Sequence, residues 1–268
     1  MSQISGTAND DFLFGTANDD VIRGLGGHDV LDGGDGNDLL NGGDGDDSLF
    51  GGNGNDVLSG GAGSDQIDTG AGTNVADGGA GDDLIGGGEG SDVLLGNDGN
   101  DSITANSGDD IVMGGAGHDL ISGDDGSDII VGASGDDVID GGDGNDVITG
   151  GAGFDTLTGN TGADVFIFIC ASDSAPALAD IVTDFSAADH DVINLSAVDA
   201  RSTASGNQAF AFIGTDAFSG KAGQLRVEQV DASTALVQAD LNGDKVADFA
   251  IEVHGIESLT LTAGDFVL

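Results

Sequence analysis

The sequence predicts an all-β fold: a parallel β-roll of nine-residue repeats, eighteen residues to a coil, capped by a β-rich C-terminal region. Three observations carry this. Residues 6–167 read as eighteen consecutive nine-residue units with no insertion or deletion. Every unit but one holds glycine, an aspartate and a large apolar residue at fixed places. After residue 167 the repeat stops, and most of the phenylalanines outside the first repeats lie there. Two regions follow, the roll at 1–167 and the cap at 168–268.

Each repeat position has a physical task. The full form is Gly-Gly-x-Gly-x-Asp-x-U-x, with U apolar, as in residues 33–41 (GGDGNDLLN) and 141–149 (GGDGNDVIT). Position four is glycine in sixteen repeats and asparagine in the first two (Asn9, Asn18). These are the residues that best tolerate a left-handed backbone. Position six is aspartate except at Asn74, and position eight is large and apolar except at Ala76. The pattern spells a six-residue turn and a three-residue strand whose middle side chain points inward.

Two such units close one coil, and coils stack at about 4.8 Å. Aspartates eighteen residues apart then fall into two columns. One holds Asp11, Asp29, Asp47, Asp65, Asp83, Asp101, Asp119, Asp137 and Asp155. The other holds Asp20, Asp38, Asp56, Asn74, Asp92, Asp110, Asp128, Asp146 and Asp164. Stacked carboxylates repel, so a cation belongs between the turns. Calcium fits best, because it takes carboxylate and carbonyl oxygens in flexible geometry. Magnesium demands tighter octahedral geometry, and zinc prefers histidine or cysteine. Eight gaps on each edge set a ceiling of about sixteen ions.

Charge agrees. The 268 residues carry 49 acidic and 5 basic side chains, a net charge of −44. Only Glu89, Glu228, Glu252 and Glu257 among the acids are glutamate, a bias expected of aspartates at ligand positions. An unliganded chain of this charge repels itself, which makes folding and metal binding one event. Nucleic acid and anionic membrane are excluded as electrostatic partners. No apolar run spans a bilayer. The start, MSQISGTAND, is no cleavable signal peptide. Sites of this kind fill at extracellular calcium, roughly 10⁻⁴–10⁻³ M.

In chain order, the first two repeats (GTANDDFLF, GTANDDVIR) lack two glycines and read as an atypical terminal cap. Phe12 and Phe14 either cover the open end or stand exposed. The outward residues of the even-numbered repeats are the more apolar set, most of all Val93, Leu95, Ile111, Met113, Ile129 and Val131. That face is expected to pack on the C-terminal region, a partner or a second copy. Residues 69–77 (TGAGTNVAD) are the soft point and the expected missing ion. Beyond 167, strands are expected at 181–185, 191–195, 209–214, 225–230, 235–239 and 249–253, with loop or short helix at 196–208. Asp240, Asn242, Asp244 and Asp248 alternate like the start of a calcium loop. Lys245 stands where such a loop needs glycine, which favours a hairpin turn. Cys170 reads as a small buried hydrophobe.

The repeats resemble those of the RTX family of exported bacterial proteins. The C-terminal hundred residues resemble the C-terminal region of serralysin-type metalloproteases. The similar segments are GADVFIF (162–168), DIVTDFS (180–186), GNQAFAFIG (206–214), FSGKAGQLR (218–226) and DLNGDKVADFAIEVHG (240–255). The ending Asp265-Phe-Val-Leu268 resembles that family's uncleaved export signal. The resemblance implies a type I (ABC transporter) system as export partner and the repeat aspartates as calcium ligands, with Asn74 outside the pattern. It does not extend to a protease. A zinc protease motif needs two histidines four apart, and His28, His118, His190 and His254 offer none.

The function this predicts is non-enzymatic: a secreted calcium-binding roll that folds outside the cell. An extracellular adhesin acting through the apolar face is the alternative. So is an export-and-folding domain detached from a metalloprotease or polysaccharide-modifying enzyme.

Overall fold

A computed structural model describes residues 1–201, 206–256 and 259–268. The chain forms two compact units, Met1–Ala133 and Ser134–Leu268. The first is built from two parallel sheets fed alternately by successive repeats. Asp20–Gly26, Leu39–Asp44, Val57–Ala62, Val75–Ala80, Val93–Asp98 and Ile111–Ala116 lie in one. Phe12–Phe14, Val30–Asp35, Ser48–Asn53, Gln66–Asp68, Leu84–Glu89, Ser102–Ser107 and Leu120–Ser122 lie in the other. Partners differ by eighteen residues, as in Leu40↔Leu58 and Leu31↔Leu49. The expected parallel roll is therefore the observed fold.

Most strands are six residues long, twice the expected length. Pairing resumes past the first glycine of the next repeat, as in Gly61↔Gly79 and Ala62↔Ala80. Gly61 holds φ 116°, a bend that a Cβ would oppose. The true turn is thus the short stretch around positions four to six.

The core is a single row per sheet. Leu31, Leu40, Leu49, Leu58, Ile85, Leu94 and Ile103 are buried, and so is Ala76. Phe12 and Phe14 are exposed, so they do not close the end. On the even-repeat sheet Leu39, Val57, Ile111, Met113 and Ile129 stand exposed. Phe12, Phe14, Leu84 and Leu120 do so on the other sheet, which makes the two faces less different than the sequence suggests.

Within Ser134–Leu268 the coils run past residue 167. Asp180–Phe185 pairs in parallel with Thr156–Thr161, and Val192–Asn194 with Val165–Ile167. Phe266–Val267 then pairs with Val192–Asn194. Asp180–Phe185 also pairs with Phe249–Gly255, which continues antiparallel through Thr234–Asp240 to Gln224–Gln229. Phe166, Phe168, Phe185 and Phe249 fill this core, with Phe168 and Phe249 edge to face at 5.7 Å. Of the strand expected at 209–214 only Ala211–Phe212 forms, with Phe210 buried in the core beside it. Residues 202–205 of the expected loop, and Glu257, lie outside the described residues. The described part of 196–208 holds no helix. Cys170 is exposed rather than buried, lying in the loop after Val165–Ile167 with its N–H and thiol donating to the Asp173 carboxylate.

Candidate calcium-binding columns

The repeat aspartates from Asp20 to Asp164 are buried along the turns. Each lies at or just before the start of its strand, and its two carboxylate oxygens have different roles. Oδ1 accepts the main-chain N–H of the aspartate one coil earlier. In the first unit Asp29 accepts from Asp11, Asp38 from Asp20, Asp47 from Asp29 and Asp56 from Asp38, at 2.7–2.8 Å. In the second, Asp155 accepts from Asp137 and Asp164 from Asp146, both at 2.9 Å. These side chains therefore hold coil to coil, a task beyond the ligand role expected of them.

Oδ2 is left over. At Asp29, Asp38, Asp47, Asp56, Asp65, Asp83, Asp92, Asp101 and Asp110 it is buried with no hydrogen bond. The same holds for Asp155 and Asp164 in the second unit. Asp119, Asp128, Asp137 and Asp146 stand buried at the same repeat position. An orphaned buried carboxylate oxygen is costly. What lies beside it is another acceptor. A Cβ placed on Gly33 would fall 2.5 Å from Asp38 Oδ2 and 2.6 Å from the Gly51 carbonyl oxygen of the next coil. The cradle is thus lined by oxygen and offers no donor, which suits a hard cation.

Electrostatics point the same way. Burial, reinforced by the neighbouring carboxylates, raises Asp83 and Asp164 to about 7. Burial and the charge of Asp110 raise Asp92 to about 7. Near neutrality such a group needs a proton or a cation. Among the described residues no three His, Cys, Asp or Glu side chains gather as a metal centre. Any ion here would draw most of its ligands from main-chain carbonyls, which favours calcium over zinc.

Asp11 and Asp20 differ from the rest. Thr7 donates both its N–H (2.6 Å) and its hydroxyl (2.9 Å) to Asp11 Oδ2. Thr16 does the same to Asp20 Oδ2, at 2.8 Å each. The Ser2 N–H and Thr16 hold the Asp20 carboxyl down at about 2. Asn9 and Asn18 do not take the left-handed backbone expected of them, and their N–H groups point to the threonine hydroxyls instead.

Two further features escaped the sequence. Position five is not a free surface site. Where it holds aspartate, asparagine or histidine, its side chain can accept the N–H of position five one coil on, as Asn37 does from Asn55 and His28 Nδ1 does from Asp46. The aspartate ladder also extends past the repeats. Asp180 Oδ1 accepts the Asp155 N–H at 2.9 Å, and Asp191 Oδ1 the Asp164 N–H at 3.0 Å. Asp180 Oδ2 is buried without a hydrogen bond, whereas Asp191 Oδ2 accepts the Ser186 N–H. The signal was present, since Asp180-Ile-Val-Thr and Asp191-Val-Ile-Asn keep the Asp-x-U-x phrase.

The alternating acids at 240–248 form a hairpin connection, as favoured. Asp240 accepts the N–H groups of Gly243 and Lys245, and Asp248 those of Leu241 and the Asn242 amide. No helix of the described residues is long and apolar enough to cross a membrane.

The family model described as RTX calcium-binding nonapeptide repeat (4 copies) matches in successive segments from residue 5 to residue 167. Among solved structures, the AlgE6R3 subunit of the Azotobacter vinelandii mannuronan C5-epimerase is 22% identical, covering 71% of this chain and 80% of that one, with a TM-score of 0.32. The AlgE6R2 subunit of the same enzyme is 25% identical, covering 58% and 88%, with a TM-score of 0.33. The comparison with curated proteins gave no match.

Proposed function

The chain belongs to the family of RTX calcium-binding nonapeptide repeat proteins, and from that premise we propose that it is an extracellular, calcium-folded module. Its repeat fold is a non-catalytic scaffold. The observation that carries the reading is the row of buried carboxylate oxygens without hydrogen bonds, facing carbonyl oxygens of the next coil. Asp29 through Asp164 hold calcium in this reading. Calcium supplies the positive charge that lets stacked carboxylates share a buried edge. Ions that bind only the folded chain pull the equilibrium toward it. Low calcium keeps residues 1–167 open, and extracellular calcium closes them.

Export by a type I transporter completes the reading. Residues 168–268 serve as the cap, and Asp265–Leu268 as the transporter's signal. Two features favour a chain that is read before it folds. Phe266 is buried and pairs with Ile193, and Asp265 caps a short 3₁₀ turn through Thr262. The folded protein therefore holds much of the signal inside its sheet. Export through the transporter should fall sharply when the roll is locked shut in the cytosol by engineered calcium-independent folding. Undiminished export of a pre-folded chain contradicts the reading.

A second role rests on the exposed apolar residues of the even-repeat sheet. Leu39, Val57, Ile111, Met113 and Ile129 form an interaction surface for an extracellular partner or a second copy. Lysine at Ile111 and Ile129 should change self-association or pull-down from extracellular polysaccharide. Unchanged oligomeric state and unchanged pull-down would remove this role.

A further inference from the structure

Within one family motif, three turns close in a different way from their neighbours. The first two are those of Thr7 with Asp11 and Thr16 with Asp20. In both, the oxygen that is orphaned at Asp29, Asp38, Asp47 and Asp56 accepts two hydrogen bonds from a single threonine. The backbone changes with it. Position two is elsewhere left-handed even where it is not glycine, as at Leu25 (φ 85°), Asn97 (φ 76°) and Asn106 (φ 74°). Thr7 and Thr16 are not left-handed. A β-branched residue is a poor occupant of that region. The turn relaxes, and the threonine hydroxyl swings onto the carboxylate.

The third turn lies inside the array. Asn74 keeps the coil-to-coil bond, its Oδ1 accepting the Asp56 N–H at 2.9 Å. Its Nδ2 donates to the Thr69 hydroxyl at 3.2 Å, and that hydroxyl donates to the Gly87 carbonyl. Thr69 occupies position one, where the Gly33 geometry shows a Cβ falling between a carboxylate oxygen and the carbonyl of the next coil. The side chain of Thr69 fills the space that those oxygens enclose in other turns. Loss of the acid and gain of the hydroxyl compensate one another: no charge is left, and both polar groups are satisfied. Asn74 and Thr69 are fully buried, and the pair is no weak point in hydrogen bonding.

We propose that these three turns are closed by threonine in place of calcium, so that the ion array starts at Asp29 and skips the turn of Thr69 and Asn74. Asp11 and Asp20 then act as hydrogen-bonded ends of the roll rather than ligands. The inference rests on the calcium reading of the other turns. A cation entering the turns of Asp11 or Asp20 would have to displace two charge-assisted hydrogen bonds, and one entering the turn of Asn74 would meet no carboxylate.

The test is the number of calcium ions bound per chain at saturation, measured by equilibrium dialysis with metal analysis on the full chain. T16G removes the hydroxyl that serves Asp20. T69G/N74D restores the full repeat. Each should bind about one ion more than the parent, with a parental circular dichroism spectrum in calcium. T16S keeps the hydroxyl and should bind the parental number. An unchanged count in both T16G and T69G/N74D overturns the proposal. So does failure of both to fold in saturating calcium, since the ion is expected to replace the hydroxyl. A parent that binds no calcium would instead overturn the reading of the other turns, which separates the two failures.

Discussion

The turns of Met1–Ala133 and the antiparallel strands Gln224–Gln229, Thr234–Asp240 and Phe249–Gly255 bury their interiors in opposite ways. Each repeat from Gly15 on, except that of Asn74 and Ala76, buries one large apolar side chain and one carboxylate. The antiparallel strands bury Leu225, Val227, Val237, Phe249, Ile251 and Val253, and their buried Asp240 has both oxygens hydrogen-bonded. The strands carry their own stabilisation. The repeats leave a buried carboxylate oxygen without a hydrogen bond at Asp29, Asp38, Asp47, Asp56, Asp65, Asp83, Asp92, Asp101 and Asp110, so the stability of these turns is conditional on something the chain does not encode. The same contrast recurs within the roll, between the threonine-closed turns and those from Asp29 onward.

The largest expected effect is therefore chelation. Removing calcium should abolish hydrogen-exchange protection in peptides from Leu39–Asp44 to Ile111–Ala116. Peptides over Thr234–Asp240 and Phe249–Gly255 should lose much less. Equal loss in both regions would erase the comparison.

Next comes the single-row core. Leu58 is fully buried between Leu40 and Ala76 in register. Leu58→Ala should cost about 2–5 kcal/mol and raise the calcium concentration at the folding midpoint. A midpoint equal to the parent's would mean that the row contributes little.

Acidity should sharpen the contrast further. Asp83, Asp92 and Asp164 are raised to about 7 in the folded chain, against about 4 when unfolded. A raised folded value means that the folded chain holds the extra protons between those limits. Stability from these groups is fully present below about pH 4 and is lost as pH climbs towards 7. Asp20, lowered to about 2, runs the other way, favouring folding above about pH 4 and losing that contribution as pH falls towards 2. Metal-free protein should thus hold more β structure at about pH 4.5 than at about pH 7.5. Calcium-loaded protein should reverse the order, because its ligands must be deprotonated. The same pH order in both forms would contradict the assignment.

The smallest effect is at Leu25, which is left-handed at φ 85° with an exposed side chain. Leu25→Gly should stabilise the roll by about 1 kcal/mol, read as a lower calcium midpoint.

How much of this was legible follows from how strictly each position is tied to one task. The aspartate columns and the buried row could be read because a fixed residue type returns every nine residues. The coil-to-coil role of Oδ1 could not, since spacing says nothing about which oxygen faces which N–H. Position five looked variable because aspartate, asparagine, serine and histidine all accept a hydrogen bond. Asp180 and Asp191 were hidden by loops that stretch the ladder spacing from 18 to 25 and 27 residues. The threonine-closed turns looked like degenerate repeats, because glycine loss is visible in sequence and a gained hydrogen bond is not.

The most direct measurement is a calcium titration of metal-free protein, following far-UV circular dichroism together with bound metal. A cooperative gain of β structure is expected near millimolar calcium, with no such response to magnesium and about fifteen ions at saturation, roughly one for each repeat aspartate from Asp29 to Asp164. A roll already formed without calcium at neutral pH, or one saturated by one or two ions, would contradict it.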